Sequence, residues 1–253
     1  MKKIFSLALL NFKEAARDKF FFGVIFFFFF YLGFCAFLGK LSVGYSLKVL
    51  QDAGIIGIEL TAVVLVTFSF IFGFFREKES RIIQVYLSNF TPLEVVTGKI
   101  LGYAALSFFY LVFAGAAFCL ISTFYGKFLP LILAALYPIF LKMLIIVCIA
   151  SLFSTLFSSS TVALLAALFV YLSSEALPSA LAITNAYGGM LQKKLLRAIY
   201  FILPNADKFE INNKIFYSGL PTAGYFIWIT LYSLVYIFIV WLINLFVFQK
   251  KEY

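Results

Sequence analysis

Three ionisable residues stand inside long apolar stretches of this chain: Glu59, Lys142 and Glu175. A charge at membrane depth is costly and usually faces an opposite charge or a water-filled cavity. Counted from the same end of the apolar stretches, the three lie at about 20–24 Å, because a helix rises 1.5 Å per residue. We therefore expect Lys142 to pair with Glu175, Glu59 or both, as a charge network able to close one side of a path. The alternative is that each side chain extends separately toward lipid headgroups.

Motifs for catalysis are missing from the sequence. The chain has no histidine and only three cysteines, which lie far apart in apolar stretches and form no paired motif. The Gly98-Lys99 dipeptide is followed by Ile100 and lacks the upstream glycine of a nucleotide-binding loop. We expect no enzyme activity, no bound metal and no bound cofactor, so any energy for transport must come from a partner or an ion gradient.

A polar turn between the second and third apolar stretches predicts a helix start. Thr91 is a good N-cap, Pro92 suits the first helical position and Glu94 completes a capping box. The helix that begins there should run into the third stretch.

A short apolar segment, residues 82–87, precedes this turn. Val85, Tyr86 and Leu87 are of the kind that fits a groove on a soluble partner. The alternative is a connector between helices with solvated charges around it.

The elements that position these residues are six apolar stretches. Hydrophobic residues make up 64% of the 253 positions and charged residues only 12%, which a soluble fold of this size could not bury. Each stretch is near or above the roughly 20 residues that cross a bilayer. Pro138 predicts a break in the fourth, with a short helix before a true span at 139–157. The six predicted spans are about 20–38, 55–75, 100–124, 131–157, 162–182 and 225–248.

Two further segments read as amphipathic. Residues 3–19 predict a helix lying in the membrane interface before the first span. Residues 183–224 form the longest segment between spans, and within them 190–203 predicts a helix on the outer face, ended by Pro204.

The basic residues predict the orientation. Five precede the first span and only Lys40 closely follows it, so the bias of cytoplasmic loops toward Lys and Arg places both termini in the cytoplasm. The net charge of +9 is explained by anionic headgroups, and we expect no nucleic acid partner.

The loop between the second and third stretches resembles that of ABC-2 type permeases, the membrane subunits of ABC exporters. The order of a charged cluster, a short helix, a turn, an acidic residue and Gly-Lys is similar. Further likeness lies in the amphipathic start, the segment around Pro204 and the short basic tail. The residues that match in order within the loop are Glu77, Glu79, Ser88, Pro92, Glu94, Gly98 and Lys99.

The resemblance implies a complex of two permeases, identical or related, with two cytoplasmic ABC ATPase subunits that hold ATP and Mg²⁺. A coupling helix at about 82–89 would pass movement from the ATPase to the spans. The turn would consist of Thr91, Pro92, Glu94, Gly98 and Lys99. The coupling contacts to the ATPase would come from Glu77, Glu79, Arg81, Ile82, Val85, Tyr86, Leu87, Ser88 and Asn89.

We therefore predict an all-α polytopic membrane protein with a single transmembrane domain over residues 1–253, located in the cell (inner) membrane. An exporter permease is the function that the resemblance implies. Two alternatives stay open. One is a gradient-driven secondary transporter that uses the three intramembrane charges. The other is a membrane scaffold or assembly subunit that transports nothing.

Overall fold

A computed structural model of the chain describes residues 2–41, 46–124, 131–187, 189–210 and 222–251. Within these ranges the fold is helical, without strands. The helices are α1 (Lys2–Arg17), α2 (Lys19–Leu41), α3 (Ser46–Glu79), α4 (Ile82–Asn89), α5 (Pro92–Phe124), α6 (Leu131–Leu156), α7 (Ser160–Tyr187), α8 (Met190–Ile202) and α9 (Ala223–Lys250). A 3₁₀ turn, Ala206–Phe209, lies between the last two.

Six of the described helices are long and apolar enough to cross a membrane. They are α2, α3, α5, α6, α7 and α9, which confirms the predicted set of spans and makes the chain a multi-pass membrane protein. Five of them extend beyond the predicted bounds because helices continue past the apolar core into polar turns, whereas α6 ends one residue before its predicted end. α3 and α5, for example, extend to Glu79 and back to Pro92.

The prediction of a break at Pro138 is wrong. α6 runs without interruption through Pro138, and α7 runs through Pro178 in the same way. Proline removes one backbone hydrogen bond, but membrane helices tolerate this when neighbouring helices and side chains satisfy the freed groups. α6 is also the most buried span, so its neighbours fix its course on several sides.

The core lies between α3, α5 and α6, with α2, α7 and α9 around them. Phe28, Phe70, Tyr110 and Phe118 are among its largest fully buried side chains. The outward faces of the peripheral spans are apolar as well, as expected where lipid replaces water as the surrounding solvent. The exposed phenylalanines of α2 illustrate this, with Phe26 at 77% exposure.

α1 and α2 are separate helices, and α2 begins at Lys19, one residue before the first span that the sequence predicted at 20–38. Asp18 interrupts them, and its Oδ1 accepts a hydrogen bond from the Phe20 N–H at 3.0 Å. An aspartate that caps the first turn of a helix in this way supplies an acceptor for an otherwise unpaired donor. The chain can therefore change direction between Arg17 and Lys19.

The segment 183–224 is not a single segment outside the spans. Residues 183–187 continue α7, and the predicted helix is present as α8. After α8 the chain returns into the bundle, where Pro204, Asn205, Ala206 and Phe209 are buried. The Asn205 N–H donates to Tyr232 Oη at 2.8 Å, nine residues inside α9. Residues 188 and 211–221 lie outside the described residues.

Candidate functional site

The three predicted intramembrane charges meet in the structure. Lys142 of α6 donates to Oε1 of Glu59 on α3 and to Oε1 of Glu175 on α7. The lysine side chain is 7% exposed, and the carboxylates are 16% and 27% exposed. Three helices are thus joined at one level by a single cation, and we call Lys142, Glu59 and Glu175 the triad.

Tyr171 adds a fourth member that the sequence analysis missed. Its hydroxyl donates to Glu59 Oε1 at 3.4 Å, and its ring centroid lies 5.8 Å from Lys142 Nζ. Tyr171 precedes Glu175 by four positions on α7, so the two side chains share one face of that helix. This spacing was the signal that could have identified it.

The two carboxylates of the triad and Tyr171 line a cavity of about 470 Å³ between α3, α6, α7 and the 3₁₀ turn. Four acidic side chains line it, and Lys142, which contacts two of them, supplies one positive charge. Its apolar walls include Ile56, Ile139 and Phe209. The acidic residues that line the cavity are Asp52, Glu59, Glu175 and Glu210.

The other predicted site lies at the end of the bundle where α3, α4 and α5 meet, which we call the α4 end. Arg81 adopts a left-handed backbone conformation, with φ of 58°, and turns the chain from α3 into α4. The φ value is uncommon for a residue with a side chain. α4 therefore projects from the end of α3 as a separate short helix.

α4 exposes part of its predicted apolar surface. Val85 is 60% exposed and Ile82 is 39% exposed. Tyr86 and Leu87 are half-buried because they pack against the core of the chain itself, and Ile83 is fully buried. Burial raises the pKa of Tyr86 to about 12, so its hydroxyl stays neutral at cellular pH. Polar residues around this patch are exposed, namely Glu79, Arg81, Ser88 and Asn89.

The predicted capping box is present at the start of α5. The Thr91 N–H donates to Glu94 Oε2 at 2.9 Å, and the Glu94 N–H donates to Thr91 Oγ1 at 3.3 Å. Pro92 is the first residue of α5. The turn after α4 is thus fixed by local hydrogen bonds.

Glu77 lies inside the bundle rather than on its surface. The resemblance implied a contact to the ATPase, but Glu77 is buried and accepts a hydrogen bond from Lys99 of α5. A carboxylate in an apolar bundle needs a nearby cation, and Lys99 is the cation that α5 supplies. The side chains of this Glu77–Lys99 pair are 3% and 4% exposed, so neither residue offers a surface to a partner.

α1 lies against α5 through two glycines. A Cβ added to Gly98 would come within 2.7 Å of Leu7 Cβ, and one added to Gly102 within 2.7 Å of the Ala8 carbonyl oxygen. Glycines four residues apart allow such close approach of two helix backbones. The sequence predicted Gly98 as part of the turn, and the spacing of Gly98 and Gly102 signals this further role in helix packing.

Arg76 joins α1 to α3 at the same end. Its guanidinium contacts Glu14 Oε1 at 2.7 Å and Asp18 Oδ2 at 3.3 Å. These side chains are between 35% and 55% exposed, so water screens the bridges. The α4 end therefore contains a buried ion pair, a glycine contact and an exposed ionic network, which together fix α1, α3 and α5 to one another.

Searches against protein-family models and against curated proteins return no match for this chain.

Proposed function

We propose that this chain is the permease subunit of an ABC-2 type exporter, driven by a separate cytoplasmic ATPase. Two such permeases, identical or related, form the path across the membrane, and ATP and Mg²⁺ bind to the ATPase. In this arrangement α4 is the coupling helix, α1 is the amphipathic helix at the cytoplasmic interface, and both termini are cytoplasmic. The protein resides in the cell (inner) membrane.

The exposed face of α4 is the observation that supports this proposal most strongly. Ile82 and Val85 are uncovered apolar side chains on a helix that lies beyond the ends of the spans. Charged residues, Glu79 and Arg81, border the patch. An apolar centre with a polar rim is typical of a protein interface.

The base of α4 is suited to transmit force. The Glu77–Lys99 pair joins α3 to α5 directly below α4, and the two glycines of α5 hold α1 alongside. A push on α4 would therefore move these helices as one unit. Flexible connections would absorb such a push instead.

One helix connects this base to the triad. α3 carries both Glu77 and Glu59, which are 18 positions apart and therefore separated by about 27 Å along the helix axis. Movement of α3 would displace Glu59 relative to Lys142 on α6 and Glu175 on α7. The triad would then open or close the side of the path that faces away from the ATPase.

Co-purification from the native membrane tests the proposal. We expect a stoichiometric soluble ATPase to accompany the tagged chain. The V85D variant should lose it, because a charge replaces the centre of the apolar patch. The Q249D variant is the matched control, since it adds the same charge to an exposed position near the end of α9. Absence of any ATPase, or equal retention by V85D, would contradict the proposal.

A gradient-driven secondary transporter is the second candidate, favoured by the opening of the triad onto an acidic cavity. The chain reconstituted alone in vesicles would then transport its substrate when a proton or sodium gradient is imposed. The K142M variant would abolish that transport. Gradient-driven transport without an ATPase would favour this candidate over the exporter.

A further inference from the structure

α8 lies outside the helical bundle. It begins after Gly189, whose N–H donates to Gln192 Oε1 at 3.1 Å, and it ends before Pro204. None of its residues whose side chains the structure describes is fully buried. The helix is therefore regular, but its surface is largely uncovered by the described part of the protein.

The uncovered surface includes an apolar stripe. Leu191 is 72% exposed, Leu195 is 56% exposed and Ile199 is 42% exposed. These residues are four positions apart, so they share one face of the helix. Exposure of this face to water is unfavourable, because removing apolar area from water lowers the free energy.

The opposite side of α8 is basic. Lys193, Lys194 and Arg197 lie within one turn of each other, and the helix contains no acidic residue. None of the three forms an ion pair with another residue in the ranges that the structure describes. Lys194 and Arg197 are exposed and Lys193 is half-buried, so the side that they form is positive and can bind an external anion.

Both ends of α8 are attached to membrane-spanning helices. α7 ends at Tyr187, just before α8 begins. After α8, the Asn205 N–H donates a hydrogen bond to Tyr232, which lies about 14 Å along α9 from the start of that helix. Tyr187 is 90% exposed, and tyrosine is enriched where spans meet the headgroups. These attachments hold α8 near the boundary of the bilayer.

We infer that α8 lies in the headgroup layer, with its apolar stripe toward the acyl chains, and that Lys193, Lys194 and Arg197 bind the phosphates of anionic phospholipids. An amphipathic helix with cations on its polar face binds a membrane surface in this manner. Each cation near an anionic surface contributes about a fivefold preference at most. The inference is independent of the ATPase and of transport.

Quenching of a fluorescent label on α8 by brominated lipids tests the inference. The chain is purified with C35A, C119A and C148A, labelled with bimane at L195C, and reconstituted with brominated phosphatidylglycerol or brominated phosphatidylcholine. We expect both lipids to quench the label, with phosphatidylglycerol at least threefold preferred at equal mole fraction. Quenching by neither lipid would place α8 in water or against another protein and would overturn the inference, as would equal quenching by both.

Charge removal sharpens the test. K193Q/K194Q/R197Q should still be quenched, which shows that the helix stays immersed, but the lipid preference should fall to about one. The matched control K13Q/R17Q/K19Q removes three exposed cations elsewhere and should keep the preference. Retention of the preference by the α8 variant would overturn the role of its three cations.

Discussion

The Glu77–Lys99 pair and the triad both place a lysine against carboxylates of neighbouring helices. They differ in the burial of their side chains and in the number of carboxylates for each ammonium group. The pair has one carboxylate for one ammonium group, and both side chains are almost completely buried. The triad has two carboxylates for one ammonium group, and both carboxylates are partly exposed beside a cavity.

This difference separates a structural contact from one that can change. Breaking a buried pair leaves an uncompensated charge in an apolar surrounding, so the pair keeps α3 and α5 together. In the triad, Lys142 can leave one carboxylate and still contact the other, and the adjoining cavity of about 470 Å³ has room for water to solvate the released group. We therefore assign rigidity to the α4 end and rearrangement to the triad.

Loss of Lys99 should have the largest effect on stability. We expect K99M to lower the free energy of unfolding by about 3–5 kcal/mol, because Glu77 is left buried without its cation. Unfolding by SDS in mixed micelles measures this change. The double variant E77L/K99M should recover most of the loss, and a double variant as unstable as K99M would refute the role assigned to the pair.

Disrupting the contact between α1 and α5, beside the Glu77–Lys99 pair, should have the second-largest effect on stability. G102A should cost about 1–3 kcal/mol, because its methyl group would overlap the Ala8 carbonyl oxygen and force α1 outward. The same unfolding measurement applies. G23A is the matched control, since a Cβ there meets no heavy atom within 4 Å, and a loss in G23A equal to that in G102A would remove the steric explanation.

Removal of Lys142 should cost less than removal of Lys99. We expect K142M to lose about 1–2 kcal/mol, because Glu59 and Glu175 stay within reach of water in the cavity. E175Q combined with K142M should deviate from additivity by at least about 0.5 kcal/mol, as contacting residues do. Strict additivity, or a loss in K142M as large as that in K99M, would contradict the difference between the two clusters.

The exposed bridges of Arg76 should contribute least. We expect R76A to cost under about 1 kcal/mol, because water and salt screen its contacts with Glu14 and Asp18. The cost should shrink further when the unfolding measurement is repeated at high ionic strength. A larger loss that does not depend on salt would show that this network is a third structural contact rather than a screened one.

Features within one helix could be predicted from the sequence. The six spans follow from apolar length, and the capping box of Thr91 and Glu94 follows from residues three positions apart. The common level of Glu59, Lys142 and Glu175 follows from the constant rise of a helix. Tyr171 and the two glycines of α5 were also detectable by spacing, but their partners were not.

Contacts between helices could be identified only from the tertiary structure. Only the packed bundle decided that Glu77 turns inward to Lys99, that α6 continues through Pro138 and that residues 204–209 return among the spans. The physical reason is that the rise and rotation of a helix are fixed by its own hydrogen bonds. The face that a helix presents, and the residue opposite it, are set by the summed packing of all its neighbours.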